Sequence, residues 1–287
     1  MKKLKNLKKM WLNSNSLFPK IRSTLLRVIA PLFIFFSFMF FTVKAPEIHS
    51  LFLRAYVGDR VYLITNDTYR GSGTGFAIKA PSGLSYIVTN DHICEVSSDG
   101  ENLVIIDRTG WAMRRRIIER SKYSDLCILE GFPGVEGLSM GSEPSIGQVV
   151  ASIGHPSGYD LTLSRGEVIQ RNDVTIMYKP ISVIIGSQPE HQISEEDGGM
   201  LESECSLPKN RLYIQEDSVI FFTIKTKLCL VITKGAYTTN MLIQPGSSGS
   251  PMINFFGNVV GVMFAADRAY WGAAVSFNDL TDFLRRY

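Results

Sequence analysis

The chain has 287 residues, of which 45% are hydrophobic, enough to bury the core of one or two domains. Its net charge of +3 is unevenly distributed: residues 1–45 carry nine Lys and Arg residues and no Asp or Glu, which leaves 21 basic against 27 acidic residues in the remainder. A mildly acidic body argues against nucleic acid as the main partner.

A basic head, residues 1–24, precedes an apolar segment, residues 25–43, that is long enough to cross a membrane. Nineteen residues make a helix about 28 Å long, close to the thickness of the hydrocarbon core. The excess of Lys and Arg keeps the N-terminus cytoplasmic and directs residues 46–287 across the membrane. We therefore expect a single-pass signal-anchor, with the remainder of the chain periplasmic or extracellular.

The alternative is a secretory signal that is cleaved, because Val43-Lys44-Ala45 ends in a small residue as a cleavage site does. Pro46 directly follows Ala45 and opposes cleavage there, which favours the anchor. On both interpretations residues 46–287 are extracytoplasmic.

From residue 46 onward the sequence is a series of short strand-like runs separated by Gly, Pro, Asn and Asp. The predicted strands are, in chain order, Val61–Thr65, Gly75–Lys79, Tyr86–Thr89, Leu103–Asp107, Leu126–Glu130, Val149–Ile153, Leu161–Ile169, Thr175–Tyr178, Val183–Ile185, Ser218–Thr226, Leu228–Thr233, Met241–Ile243, Met252–Asn254, Val259–Phe264 and Trp271–Val275. Many short strands at regular spacing predict an all-β sandwich or closed barrels. Only the C-terminal end is predicted to be helical, with Asn278 as its cap and Leu280, Phe283 and Leu284 on one face.

Residues 187–210 interrupt this series of strand-like runs with a polar, acidic stretch, which predicts a long mobile loop. Glu195, Glu196 and Asp197 lie within it, but their spacing matches no calcium loop. We therefore expect a solvated loop and no bound metal.

The four cysteines are too few for a disulfide framework and lack the C-x-x-C spacing of metal sites. Cys94 and Cys127 lie in apolar runs and are predicted to be buried free thiols. Cys205 and Cys229 flank a hairpin-like segment and could pair, a question that the sequence leaves open.

Three segments carry the residue types of a nucleophilic-serine site. Tyr86–His92 is a strand that ends in a histidine, Tyr123–Leu129 places Asp125 before an apolar run, and Gly246–Pro251 is a Gly-Ser-Ser-Gly-Ser-Pro turn. A serine is unreactive alone and needs a base that a carboxylate orients. The order His, Asp, Ser is that of chymotrypsin-type enzymes and differs from the order in subtilisin-type enzymes and α/β-hydrolases.

In combination these segments resemble the catalytic domain of HtrA-type trypsin-like serine proteases. The matching runs are Gly71–Ile78, Tyr86–Ile93, Ser124–Leu129, Ile153–Gly158, Ile243–Pro251, Val259–Met263 and Gly272–Ser276. The resemblance covers most of residues 60–170 and 238–280. It implies two packed six-stranded antiparallel β-barrels, the N-terminal one over about 50–142 and the C-terminal one over about 145–276, with an insertion at about 171–237.

The resemblance also implies a role for each residue of the site. His92 is the general base, Asp125 orients it, and Ser248 is the nucleophile, while the backbone N–H groups of Gly246 and Ser248 form an oxyanion hole. The implied activity is that of a serine endopeptidase, which acts on protein or peptide substrates and needs no cofactor. A homo-oligomer, such as the trimers of HtrA-type proteins, follows from the analogy alone.

By the same analogy the floor of the substrate pocket includes Leu242, with Phe264, Ala265 and Gly272 as its walls. Because no acidic residue stands at Leu242, a preference for Lys or Arg is disfavoured. We expect an apolar residue before the scissile bond.

Two residues depart from the family pattern. Ser250 stands where a second glycine is usual, and His155 replaces an asparagine in a Gly-x-Pro loop and is interpreted as structural. No PDZ-like domain is expected after Tyr287. The rival interpretations are a catalytically silent peptide-binding or chaperone-like module of the same fold, and a membrane-tethered interaction protein whose insertion is the working surface.

Overall fold

The computed structural model describes residues 46–66, 68, 72–158, 160–185, 191–192, 205, 210–219, 222–267 and 271–287, and within strands at 175–192, 210–232 and 265–267 it describes the backbone alone. A helix, α1, covers residues 46–56. A compact unit begins within this helix, at Leu53, and both Leu53 and Val57 are fully buried in it. No helix in these ranges is long and apolar enough to span a membrane, and the predicted anchor at 25–43 lies outside the described residues.

Six antiparallel strands close into the first barrel. They are β1 (Val61–Thr65), β2 (Ser72–Lys79), β3 (Ser85–Thr89), β4 (Asn102–Ile106), β5 (Ala112–Arg120) and β6 (Cys127–Leu129), and a four-residue helix, α2 (Asp91–Cys94), follows β3. Around the barrel the strands follow the order β1-β2-β3-β6-β5-β4, and β4 pairs back with β1.

Consecutive residues of these strands enter two different cores. In β3, Ile87 packs inside the first barrel with Ile64 and Ile105, whereas its neighbour Val88 packs in a second cluster with Ile153 of the other barrel. Successive side chains point to opposite faces of a strand, so β3 needs apolar residues on both faces. This is why the strand reads as a continuous apolar run in the sequence.

The second barrel is formed by six of the strands that follow β6. The strands after β6 are β7 (Val149–Gly154), β8 (Thr162–Ile185), β9 (His191–Gln192), β10 (Asn210–Val219), β11 (Phe222–Thr239), β12 (Pro251–Ile253), β13 (Val259–Asp267) and β14 (Trp271–Val275). Because β11 pairs with both β14 and β8, the ring closes as β7-β8-β11-β14-β13-β12. The predicted all-β fold with two six-stranded antiparallel barrels is thus confirmed.

The insertion predicted at 171–237 is largely a β-ribbon. Strands β8 and β11 continue to pair beyond the barrel as far as Ile185 and Ile224, while β10 joins the outer side of β11 and β9 joins β8. From Val174 to Ile185 the ribbon extends roughly 40 Å. The separate strands predicted here are therefore continuous, and most of the loop predicted at 187–210 lies outside the described residues, as does the acidic run Glu195-Glu196-Asp197.

Several predictions about elements were wrong. Helices α1 and α2 were not predicted, since only the C-terminal end was expected to be helical. Strand β5 was missed because its sequence, with five Arg or Glu among nine residues, leaves every second side chain exposed and only half-buries the others. Met241–Ile243 lies beyond the end of β11 at Thr239 and pairs with no described strand, although its burial alternates as in a strand. Ser218–Thr226 spans the end of β10 and the start of β11 rather than one strand.

A C-terminal helix, α3 (Phe277–Leu284), closes the domain. Its cap is Ser276 and not the predicted Asn278: the Ser276 hydroxyl accepts from the backbone N–H of Asp279 at 3.1 Å and donates to its carboxylate at 2.8 Å. The predicted apolar face is confirmed, because Leu280, Phe283 and Leu284 are almost completely buried. Each such side chain contributes about 2–3 kcal/mol when buried.

Candidate active site

Antiparallel pairing of β3 with β6 brings the predicted histidine and aspartate together. Thr89 at the end of β3 lies opposite Cys127 at the start of β6. Because the strands run in opposite directions, the residues after Thr89 meet those before Cys127. Helix α2 begins directly there and carries His92 beside Asp125.

Asp125 holds His92 through both of its carboxylate oxygens. Its Oδ2 lies 2.7 Å from His92 Nδ1, and its Oδ1 accepts from the backbone N–H of His92 at 3.0 Å. The Asn90 side-chain amide donates to the Asp125 carbonyl at 2.9 Å, so the aspartate is fixed at its backbone as well. An ionised carboxylate only accepts hydrogen bonds, which places the imidazole proton on Nδ1 and leaves the Nε2 lone pair available.

A disulfide reinforces this pair, and here the prediction of free thiols was wrong. Cys94 and Cys127, each two residues beyond a member of the pair, are bonded to each other. Hydropathy correctly indicates that both are buried, but it does not distinguish two thiols from a bridge; the register of β3 and β6 brings them together. Cys205 is buried and also disulfide-bonded, while the side chain of Cys229, with which it was suggested to pair, lies outside the description.

Arg120 at the end of β5 forms ion pairs with α2, the helix that carries His92. Its guanidinium binds the buried Asp91 carboxylate at 2.5 and 3.1 Å and the Glu95 carboxylate at 2.8 Å. The Asp91 side chain is only 3% exposed, so the ion pair with Arg120 offsets part of the cost of burying its carboxylate. The ion pair therefore fixes the helix that presents His92.

Three groups of the first barrel have shifted pKa values. Hydrogen bonds, first from the Asn102 side chain, hold the pKa of Asp99 well below its usual 3.8. A hydrogen bond from Thr109 is the main cause that lowers the pKa of Asp107. Burial raises the pKa of Tyr62 to about 12. These groups stabilise loops and core and are not candidates for proton transfer.

Two glycines shape the turn that carries the predicted nucleophile. Gly246 and Gly249 have φ values of 90° and 87°, a region that other residues rarely adopt. A Cβ at Gly249 would lie 1.9 Å from the Thr74 carbonyl oxygen, and one at Gly246 would lie 2.6 Å from the His155 carbonyl oxygen. Only glycine fits at either position, which allows the turn to pack against the first barrel and presents Ser248.

The Ser248 hydroxyl donates to the carbonyl oxygen of Phe264 at 3.2 Å rather than to the His92 ring. Among the described residues, the backbone N–H groups of Gly246 and Ser248 have no acceptor. Two backbone donors without acceptors in one short turn are groups of the kind that can bind an oxygen carrying negative charge. The Pro245 carbonyl, which would otherwise compete for that space, accepts from the Ser157 N–H at 2.6 Å.

The residues predicted to form the substrate pocket lie around the same turn. Phe264 is 2% exposed and Leu242 is 58% exposed, while Ile243 and Met263 pack against the backbone of Gly272. The side chain of Ala265 lies outside the description. A cavity of about 130 Å³ adjoins the turn, and its lining includes Leu242 together with Ser152, Ser164, Gln244 and Ser247.

The two departures from the family pattern fit into the packing of the turn. Ser250 is fully buried, and its hydroxyl occupies the space where a Cβ at Gly154 would lie, 1.9 Å from that position. His155 is 8% exposed, and its backbone N–H donates to the Thr74 hydroxyl at 3.0 Å. Within the described ranges no group of His, Cys, Asp and Glu side chains is placed to hold a metal ion.

Comparison with known proteins agrees with this geometry. The trypsin-like peptidase domain family matches residues 73–208. The serine protease Do-like HtrA of Bacillus subtilis is 24% identical over 204 residues, which are 69% of this chain and 34% of that protein. A probable periplasmic serine endoprotease, DegP-like, of Hahella chejuensis is 25% identical over 215 residues, or 74% of this chain and 33% of that protein. The chain thus spans about a third of the length of the curated relatives it matches.

Solved structures share the fold at low identity. The active form of the Rv3671c protease from M. tuberculosis superposes with a TM-score of 0.53 at 18% identity, covering 80% of this chain and 81% of that one. The HtrA-type protease AlgW with a tripeptide gives 0.51 at 15% identity, covering 80% and 60%. Together with the two barrels, the histidine–aspartate pair and the serine turn, these matches confirm the resemblance inferred from the sequence: the chain is similar to the HtrA-type trypsin-like serine proteases.

Proposed function

We propose that this protein is a serine endopeptidase in which Ser248 is the nucleophile, His92 the general base and Asp125 the group that orients the base. The observation that carries the proposal is the pair of hydrogen bonds by which Asp125 binds His92, together with a serine turn whose Gly246 and Ser248 N–H groups have no acceptor among the described residues. The substrates are proteins or peptides, as the endoprotease names of the relatives suggest.

In the first half of the reaction, substrate binding draws the Ser248 hydroxyl away from the Phe264 carbonyl and toward His92 Nε2. Ser248 Oγ then attacks the peptide carbonyl carbon as Nε2 takes the hydroxyl proton. The developing oxyanion accepts hydrogen bonds from the Gly246 and Ser248 N–H groups. In comparable sites one such donor is worth about 3–4 kcal/mol of transition-state stabilisation.

In the second half, the tetrahedral intermediate collapses and the C–N bond breaks. His92 Nε2 returns its proton to the leaving amine, which departs as the new N-terminus of the product. Water then attacks the acyl-enzyme, with His92 again as the base, and releases the carboxylic acid and free Ser248. Asp125 keeps its charge throughout and stabilises the imidazolium ion that forms twice.

A fluorophosphonate probe tests the proposal, because it phosphonylates only an activated serine. We expect the wild-type chain, in membranes of cells that produce it, to be labelled and Ser248→Ala not to be labelled. Ser250→Ala is the matched control: its buried hydroxyl has no partner among the described residues, so its removal should leave labelling intact.

Each outcome has a distinct meaning. Labelling that survives Ser248→Ala would assign the nucleophile elsewhere. A folded wild type that remains unlabelled and does not cleave casein would favour the catalytically silent binding module of the same fold.

The location of the enzyme follows from the sequence of its N-terminal part. Residues 25–43 are proposed to anchor the chain in the membrane, with the barrels on the extracytoplasmic side, as the periplasmic name of one relative suggests. Extraction of membranes with alkaline carbonate tests this. An anchored chain stays in the pellet at full mass, whereas cleavage after Ala45 would release a smaller, soluble protein.

The proposed specificity is for an apolar residue before the scissile bond. The side chains of Ile243 and Met263 lie against Gly272, and Leu242 carries no charge that could pair with Lys or Arg. Mass spectrometry of a digested peptide library should reveal this preference. Enrichment of Lys or Arg at the cleavage site would contradict the assignment of Leu242, Phe264, Ala265 and Gly272 to the pocket.

A further inference from the structure

Thr74 in β2 connects the first barrel to the serine turn of the second. Its hydroxyl donates to the carbonyl oxygen of Gly246 at 2.8 Å and accepts from the backbone N–H of His155 at 3.0 Å. Its own backbone N–H donates to the carbonyl oxygen of Ser248 at 2.7 Å. The residue has no exposed surface, so water cannot replace these bonds.

We propose that Thr74 is a positioning residue, whose hydroxyl holds the Gly246 N–H in the orientation that receives the oxyanion. The proposal rests on the proposed function, since it assumes that Ser248 reacts and that Gly246 donates to the oxyanion. It adds a residue from the opposite barrel, 172 positions away in the sequence, that acts through the turn and does not touch the substrate.

Hydrogen bonds fix both of the peptide groups that flank Gly246. The group before it is fixed because Ser157 N–H donates to the Pro245 carbonyl at 2.6 Å. The group after it is fixed because the Thr74 hydroxyl binds the Gly246 carbonyl. With both carbonyls held, rotation about the Gly246 backbone is restricted.

This restriction matters because the residue is glycine. At a φ of 90° Gly246 has no Cβ that would confine its backbone, and glycine reaches many conformations at similar energy. If the Gly246 carbonyl lost its donor, the peptide groups on either side could rotate and carry the N–H away from the site. Oxyanion stabilisation depends on donors that are oriented before the reaction begins.

The hydroxyl can be separated from the rest of the residue by substitution. The bond from Thr74 N–H to the Ser248 carbonyl belongs to the backbone and survives any side chain other than proline. The hydroxyl donates its single proton to the Gly246 carbonyl and accepts from the His155 N–H. Thr74→Val removes only this group at nearly constant volume, and Thr74→Ser retains it.

The expected result is a fall in kcat without a matching change in KM. Complete loss of one oxyanion donor lowers kcat by about 100- to 1000-fold, and a donor that is present but poorly oriented should lose part of that, about 10- to 100-fold for Thr74→Val. KM should change by less than about threefold, because a bond to the oxyanion forms only in the transition state. Thr74→Ser should stay within about threefold of wild type, since the hydroxyl alone carries the effect.

The measurements use the full-length chain in detergent. Labelling with the fluorophosphonate probe is timed for each variant, and kcat and KM are determined with a fluorogenic peptide taken from the library digest. Thr65→Val is the matched control, because Thr65 is a buried threonine of the neighbouring strand β1 and its hydroxyl donates to the Asn66 carbonyl at 3.4 Å, a bond that does not involve the serine turn. Thermal unfolding establishes that each variant is folded at the assay temperature.

The outcomes separate this inference from the proposed function. A wild type that the probe does not label means that the proposed function has failed. A labelled wild type with a folded Thr74→Val of unchanged kcat would overturn the inference, as would a Thr74→Ser variant that loses as much activity as Thr74→Val. Should Thr74→Val not fold, Thr74→Ala carries the same expectation. Failure of both to fold would also overturn it, since the hydroxyl would then hold the barrels together.

Discussion

Replacing both Cys94 and Cys127 by alanine removes the covalent link between the helix that carries His92 and the strand that follows Asp125. The bridge closes a loop with a sequence separation of 33 residues. A cross-link of that length removes about 3–4 kcal/mol of chain entropy from the unfolded state at 25 °C. Loss of two buried sulfur atoms adds about 1 kcal/mol each. We expect the free energy of unfolding to fall by about 5–6 kcal/mol, a large share of the roughly 5–15 kcal/mol of a typical domain.

Urea unfolding without reductant measures this loss in the wild type, the two single variants and the double variant. Each single variant already breaks the bridge and should lose about 4–5 kcal/mol, so the double variant should lose only about 1 kcal/mol more. The m-value should rise in all three, because an unfolded chain without the cross-link exposes more surface. Single losses that simply add in the double variant would refute the reasoning, since additivity means that the two cysteines act independently.

The bridge also has a consequence for the reaction. Without it, α2 loses its covalent link to β6, and the orientation of His92 against Asp125 becomes less fixed. The fluorophosphonate labelling rate of the double variant should fall at a temperature where it remains folded. A variant that loses the calculated stability but labels at the wild-type rate would show that the bridge stabilises the barrel without orienting the pair.

Three further predictions concern single positions, each checked by thermal unfolding. Gly249→Ala places a Cβ 1.9 Å from a main-chain oxygen of β2 and should prevent both stable folding and labelling. The control is Gly134→Ala, which is also at positive φ but has open space around it and should cost only about 1 kcal/mol. Equal losses of stability in the two variants would contradict this explanation. Arg120→Ala removes the ion pair with the buried carboxylate of Asp91, next to His92, and should cost about 1–3 kcal/mol. An unchanged melting temperature would argue against that role. Hydrogen bonds, first from Asn102, keep the pKa of Asp99 below 3.8, so this carboxylate stabilises the fold above pH 3.8 and less so as the pH falls further. Asp99→Ala should therefore lower the melting temperature at pH 7 more than at pH 3, and an equal loss at both would disprove the linkage.

The candidate site could be predicted from the sequence because its residues belong to short motifs in a characteristic order. His92, Asp125 and the serine turn each follow or precede an apolar run, so strand prediction also placed them at strand ends. Antiparallel pairing then brings the first two together without further information.

Contacts between residues that are distant in the sequence could not be predicted. The run Gly73-Thr74-Gly75 was part of the recognised motif, yet the partner of the Thr74 hydroxyl lies 172 residues away and leaves no local pattern. Strand β5 was missed for a different reason, because it is half-exposed and has no apolar stripe. Its charged side chains form ion pairs at the surface, as Arg116 does with Glu130, which follows β6. The cap of α3 was assigned two residues late because Ser276 and Asn278 are both good caps, and only the bond to Asp279 distinguishes them.

The apolar cluster between the barrels determines how the protein unfolds. Phe76 and Val88 of the first barrel, Ile153 and Val262 of the second and Phe283 of α3 all contribute to one cluster. Neither barrel can therefore unfold without exposing apolar surface on the other, and the two should melt in a single cooperative transition. Heat or denaturant would then remove the histidine–aspartate pair and the serine turn simultaneously, leaving no half-folded domain that binds a peptide without cutting it.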